Sequence, residues 1–211
     1  MVKGSRLLAS GNSAPLPYDA EVEYIESTGT QTIDTGIVVD DNYYVLQCDM
    51  CSSTLGQSVA WSTYFGSYNG ESAKSTRIIN NATNLNSMYG GYMRRSNGQR
   101  FITGNYFVAQ DRSQYTLEYM KMTIVRPEFG DWIIPLDAPE GNPDTSTVKL
   151  FGACMRCWGF RISHEGVDVI DFIPVRFTNE QGVSEGAMYD RVSGQLFRNA
   201  GTGAFLWAEK Q

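Results

Sequence analysis

A period of two runs through this chain. Short segments in which apolar and polar residues alternate, each bounded by Gly, Asn, Asp or Ser, recur from about residue 20 to the C-terminus. No stretch sustains the 3.6-residue spacing of a helix. Successive side chains of a strand point to opposite faces, so alternating segments fold as half-buried strands. Glu21-Val22-Glu23-Tyr24-Ile25 alternates, and Thr30 to Ile33 repeats the pattern beyond a turn at Thr28-Gly29. Tyr43 to Met50 sets Tyr43, Val45, Gln47 and Asp49 on one face and Tyr44, Leu46, Cys48 and Met50 on the other. Tyr115 to Val125 reads as the longest strand, and its apolar residues on both faces place it centrally.

The turn-rich interval from Arg126 to Pro143 resembles a domain boundary, but the C-terminal part beyond it cannot stand alone. The short strands around Leu150, Phe160-Arg161-Ile162, Val167 to Val175, Met188-Tyr189 and Leu196-Phe197 carry too little apolar surface for a separate core. They are expected to complete sheets begun before residue 125. A chain of 211 residues with about a dozen short strands points to an all-β fold, one antiparallel two-sheet sandwich of jelly-roll type over residues 16–211.

Residues 1–15 read as an arm, flexible or ordered only against a partner, because the stretch is rich in Ser, Gly, Asn and Pro. Its one apolar run, Leu7-Leu8-Ala9 behind Lys3 and Arg6, falls short of the ~7–15 residues of a secretory signal. Leu7 and Leu8 are its candidate docking residues. Lys and Arg number 17 against 23 Asp and Glu, a formal charge of −6 with no basic cluster, which argues against nucleic acid and anionic membranes as partners. No apolar run approaches the ~20 residues of a membrane span, so no membrane insertion is expected.

Three constellations could carry chemistry. Glu21-x-Glu23-x-x-Glu26 approximates the E-x-D-x-x-E strand motif of glucanases built on concanavalin A-like sandwiches, where retaining hydrolysis needs two carboxyls ~5–5.5 Å apart. On a regular strand, however, Glu26 points away from the face of Glu21 unless a bulge intervenes. The cysteines fall as Cys48-x-x-Cys51 and Cys154-x-x-Cys157, two pairs separated by close to half the chain. One antiparallel register would set Cys48 opposite Cys157 and Cys51 opposite Cys154. Buried free thiols, a disulfide and a four-thiolate zinc site all remain open. His164, the only histidine, lies in the turn-like Ser163-His164-Glu165-Gly166, and no G-x-S-x-G elbow occurs. No enzyme class finds support, no cofactor is expected, and structural calcium or zinc stays open. Asn81-Ala82-Thr83 is a formal glycosylation sequon without an accompanying leader.

Aromatic and polar residues interleave in Trp61 to Gly70 and Met88 to Tyr92. Trp61, Tyr64, Tyr68, Asn69, Tyr89 and Tyr92 are therefore the candidate ligand-binding residues: sugar C–H faces stack on rings while amides satisfy hydroxyls. The competing reading is that most of these rings are packing residues.

Two stretches resemble a known family. Tyr24-Ile25-Glu26-Ser27-Thr28-Gly29-Thr30-Gln31-Thr32-Ile33-Asp34-Thr35-Gly36 is similar to the YIESTGTQYIDTG opening of concanavalin A-like, LamG-like sandwich domains of gut bacteria and their phages, with Thr32 where Tyr is usual. Phe160-Arg161-Ile162, Asp171-Phe172-Ile173-Pro174-Val175-Arg176, Met188-Tyr189-Asp190 and Asn199-Ala200-Gly201-Thr202-Gly203-Ala204-Phe205 resemble its closing pattern. The resemblance implies a non-enzymatic interaction module with no catalytic residues to transfer. It points to a phage particle, as a capsid-decoration or tail protein, whose partners are other virion proteins, host-surface glycans or further copies of itself; the absence of a leader favours the virion over an extracellular or cell-surface location. The alternatives are a purely structural decoration protein that binds only proteins, and a secreted bacterial carbohydrate-binding module or glucanase-like enzyme.

Overall fold

In this computed structural model residues 15–53, 62–68, 74–80, 88–95, 100–102, 111–127, 130–136, 138 and 145–211 are described. Every regular element among them is a strand. In chain order these are β1 (Ala20–Thr28), β2 (Ile33–Val38), β3 (Tyr44–Ser52), β4 (Thr63–Gly66), β5 (Lys74–Asn80) and β6 (Met88–Arg95). Next come β7 (Arg100–Ile102), β8 (Ser113–Glu118), β9 (Lys121–Arg126), β10 (Gly130–Pro135) and β11 (Thr147–Leu150). The chain closes with β12 (Cys154–His164), β13 (Val167–Thr178), β14 (Ser184–Asp190), β15 (Leu196–Phe197) and β16 (Leu206–Glu209).

They form an all-β sandwich of two antiparallel sheets. The large sheet runs β10-β9-β8-β3-β12-β1-β13-β14-β15, with β16 paired to β1. The small sheet runs β2-β11-β4-β5-β6-β7. Alternation acts on burial as the sequence implies: in β3, Leu46, Cys48 and Met50 are fully buried, while Val45, Gln47 and Asp49 lie half-buried on the opposite face. One core joins both sheets, bringing Ile25, Leu46, Met50, Leu117, Phe160 and Phe172 from the large sheet against Ile33, Phe65, Ile78, Tyr92 and Leu150 from the small one.

Two expectations about strands are corrected. The segment from Tyr115 to Val125 is not one strand: β8 and β9 fold back on each other at Tyr119-Met120, where Met120 adopts a φ of 55°. A methionine rather than Gly or Asn occupies the left-handed position, so the turn carries none of the usual punctuation. The turn-rich interval after Arg126 holds a strand of its own, β10, which hydrogen-bonds along β9 at the edge of the large sheet. By contrast, the reading of Ser163 to Gly166 as a hairpin turn holds. His164 is the last residue of β12, and Glu165 and Gly166, with φ of 51° and 79°, make the two-residue connection to β13.

The opening and closing motifs interlock. The Gln31 side chain is buried; its Nε2 donates to the Ala204 carbonyl at 2.9 Å, and its Oε1 accepts from the Thr28 amide at 2.9 Å and the Ser27 hydroxyl at 3.0 Å. Asn199 Oδ1 accepts the Thr32 and Gly201 amides at 3.0 and 2.8 Å. Gly201 is required by close approach, because a Cβ there would lie 2.2 Å from the Thr30 carbonyl oxygen. Residues far apart in sequence thus form one hydrogen-bonded corner in which each buried amide has its partner.

Candidate binding face

Of the rings singled out by sequence, two whose side chains are described do not reach the surface. Tyr64 and Tyr92 are core residues, 2% and 0% exposed, which corrects their assignment as ligand contacts. The reason is that they lie in strands β4 and β6 of the small sheet, not in loops, and turn toward the large sheet packed over them. The Tyr92 hydroxyl donates to the Tyr44 and Asp41 carbonyls at 2.9 and 3.1 Å. Burial raises the pKa of both phenols. Tyr68 remains exposed, its ring 3.6 Å from the Arg77 guanidinium carbon. Tyr89 sits in β6 between Ile79 and Phe101 of the flanking strands. Trp61, Asn69, the docking pair Leu7 and Leu8, and the sequon at Asn81 lie outside the described residues.

All four cysteines are buried free thiols. Strands β3 and β12 do pair antiparallel, but Cys48 stands opposite Phe160 and Cys51 opposite Arg156. The expected register is corrected: β12 is displaced by two residues at Cys51, and by a third at Cys48, where an extra residue slips the pairing between Cys157 and Gly159. Cys48 and Cys157 nevertheless meet diagonally on the core face, sulfur to sulfur at 3.8 Å. Burial, and then the adjacent Cys157, raises the Cys48 thiol well above its ordinary pKa, while burial pushes Cys51 up to about 11. Both are therefore poor nucleophiles at neutral pH.

A bulge also undoes the parity argument for the glutamates. Val22 and Ile25, three positions apart, are both fully buried, and the pairing of β1 with β16 slips between Val22 and Tyr24. Glu21 and Glu26 therefore share the face turned away from the core. Their oxygens are engaged: Glu26 accepts from Arg156 Nε at 3.0 Å and from the Ser53 hydroxyl, and Glu21 pairs with Lys210. Glu26 is 2% exposed, so these bonds are what keep a carboxylate tolerable at that position.

His164 packs against Tyr44 at a centroid distance of 4.3 Å and its Nε2 lies 2.8 Å from Asp41 Oδ2. The hydrogen bond to Asp41, and the charges of Asp41, Glu165 and Asp40 around it, raise the imidazole pKa. A raised folded-state pKa means that this contact contributes below the unfolded value of about 6.5 and fades as pH rises through the folded one. Proton NMR of the single histidine is expected to give a midpoint above 6.5, and Asp41→Asn to move it down; equal midpoints in the two proteins would refute the pairing.

The residues that do converge lie on the outer face of the large sheet. One row of cross-strand partners runs Ile133, Thr123, Thr116, Gln47, Arg161, Asp171 over strands β10, β9, β8, β3, β12 and β13. Beside it runs a second, Asp131, Val125, Gln114, Asp49, Gly159. At the junction of the two rows an open groove of about 230 Å³ is lined by Gln47, Asp49, Gln114, Trp158, Arg161, Asp171 and Arg191. Trp158 is the extra residue of β12, and the bulge turns its indole to this outer face between inward-facing Cys157 and Phe160. The Trp158 ring meets Tyr24 at 5.1 Å, and the Arg112 guanidinium lies over it at 4.8 Å. Among the described residues its shielded Nε1–H has no hydrogen-bond partner.

Ion pairs hold the groove's charged groups in place. Arg112 Nε donates to Asp49 at 2.9 Å, Arg191 Nε donates to Asp171 at 2.9 Å, and Arg161 lies 3.5 Å from Asp168 and 3.7 Å from Asp171. The sequence carries one signal for this site, and it lies outside the motifs. Cys157 and Phe160 are apolar at a spacing of three, which breaks the period of two just where Trp158-Gly159 intervenes. Compared with known protein families, with curated proteins and with solved structures, the chain matches none.

Proposed function

We propose that this protein is a non-enzymatic, saccharide-binding sandwich of the concanavalin A-like, LamG-like kind, carried on a phage particle, with its ligand face on the outside of the large sheet. The observation that carries the binding reading is the groove at Trp158. It joins an indole to an array of planar donors and acceptors, Gln47, Gln114, Arg161 and Asp171 on neighbouring strands and Arg191 in the turn after β14. A saccharide needs that combination: an apolar ring face to stack, and hydroxyls that each donate and accept. Strands hold such groups more rigidly than loops do, which lowers the ordering cost of binding. The particle assignment rests on the family resemblance of the opening and closing motifs.

The test is a glycan array followed by calorimetry on the purified protein. The wild type is expected to retain at least one glycan class. Trp158→Ala is expected to weaken that binding tenfold or more, about 1.4 kcal/mol, while the melting temperature stays within a few degrees. A wild type that retains no glycan but co-assembles with virion proteins would replace this reading with that of a structural decoration protein.

A further inference from the structure

The groove's charges and the cover over its indole bear on what it takes and how it opens. Three guanidinium groups border it, those of Arg112, Arg161 and Arg191, and each has a carboxylate partner in Asp49, Asp168 or Asp171. The six formal charges of these pairs cancel, and Glu23 adds a further negative charge acting on Arg112. An anion entering here meets arginines already neutralised by aspartates and gains nothing from the local field. Hydrogen-bond capacity without net positive charge is left. The Trp158 face is a separate matter. Arg112, itself half exposed, lies across it and is anchored to Asp49, and a ring stacking on that side of the indole must take the position the guanidinium now holds. The cover is weak: a cation–π contact at an exposed site and a surface ion pair are each worth only about 0.5–1 kcal/mol.

We propose, on the strength of the saccharide reading above, that this groove selects uncharged saccharides and that its Trp158 face is covered in the free protein by Arg112, which a ligand ring displaces. Arg112 is then a gating residue. Removing it strengthens binding, whereas removing a contact residue weakens it. Opening also unshields the indole N–H that has no partner in the closed arrangement.

The experiment separates the gate from the ligand. The protein is labelled with 5-fluorotryptophan, and the ¹⁹F resonance lost in Trp158→Phe identifies Trp158. Its H₂O/D₂O shift, read without any ligand, reports indole exposure. Arg112→Ala is expected to increase that shift, and Asp49→Asn, which frees the guanidinium without truncating it, to increase it less. An unchanged shift in both variants overturns the gate. Binding is then measured for neutral hexasaccharides of glucose, galactose and mannose, and for heparin and polysialic acid as anionic probes. The expected result is a severalfold gain for a neutral hexasaccharide in Arg112→Ala and no salt-sensitive binding of the anionic polymers. A loss of neutral binding in Arg112→Ala, with the shift increased, makes Arg112 a contact rather than a gate and overturns the proposal. Tighter binding of the anionic polymers than of the neutral sugars overturns the charge argument. An increased shift with no saccharide bound by any variant upholds the gate and overturns the saccharide reading on which the ligand class rests.

Discussion

A fragment ending at residue 142 is expected to show no cooperative melt and to collect as insoluble protein. The reason lies in the order of pairing. Among the described residues, all three strand partners of β1, namely β12, β13 and β16, come after residue 142, and so does β11, which pairs with β2. The fragment would keep β3-β8-β9-β10 and β4-β5-β6-β7 as sheet remnants that still touch through Tyr92 and Tyr44, but β1 and β2 would lose the strands they pair with here. It would lose Val148, Leu150, Phe151, Met155, Phe160, Ile162, Phe172, Met188 and Phe205 from the core, each at most 2% exposed in the whole chain. Burial of one such side chain is worth about 1.5–3 kcal/mol, so the loss exceeds the ~5–15 kcal/mol by which a domain is stable. Circular dichroism and a proton–nitrogen correlation spectrum check this. A dispersed spectrum with a cooperative transition would show that the N-terminal strands fold independently.

Asp190→Ala is expected to cost about 3 kcal/mol, a fall in melting temperature of roughly 6–12 °C for a chain of this size. Asp190 is fully buried at the end of β14. Its carboxylate accepts the amides of Asp171 at 2.8 Å, Ser193 at 3.0 Å and Val192 at 3.2 Å, and the Ser193 hydroxyl at 2.6 Å. Alanine leaves three backbone donors without an acceptor, and an unmet buried donor costs about 1–3 kcal/mol, less where water can reach the turn. Burial by itself would raise the Asp190 pKa, but the four hydrogen bonds outweigh it and the net displacement is downward. A lowered folded-state pKa contributes stability above the unfolded value of about 3.9, and that stability is lost as pH falls through the folded value. Wild-type resistance to urea should therefore decline as pH falls below about 4. Asp190→Asn, which keeps one acceptor oxygen, should be intermediate in stability and flatter in its acid response. A melting temperature unchanged by Asp190→Ala would show that the turn holds without its side-chain anchor.

Local chemistry decided much of this protein before any tertiary contact formed. The period of two made it all-β, because it is the backbone pleat that sends Leu46, Cys48 and Met50 to the core and Gln47 and Asp49 away from it. Glu165-Gly166 made a tight hairpin because one residue tolerates, and the other favours, positive φ.

The candidate site was not legible in the same way. Gln47, Gln114, Arg161 and Asp171 are scattered along the chain, and only the order β8-β3-β12-β13 makes them neighbours. Pairing order is a non-local property, settled by which apolar faces fit together, and a period of two says nothing about it. The same holds for the rings in β4 and β6. Their alternation with polar residues is common to a binding loop and a core strand, and only the sheet packed over Tyr64 and Tyr92 distinguishes the two. The bulge at Trp158 is the sharpest case. One extra residue in β12, accommodated where it pairs with β3, set an indole on the polar face, because the side-chain period of a strand inverts wherever a single residue is inserted.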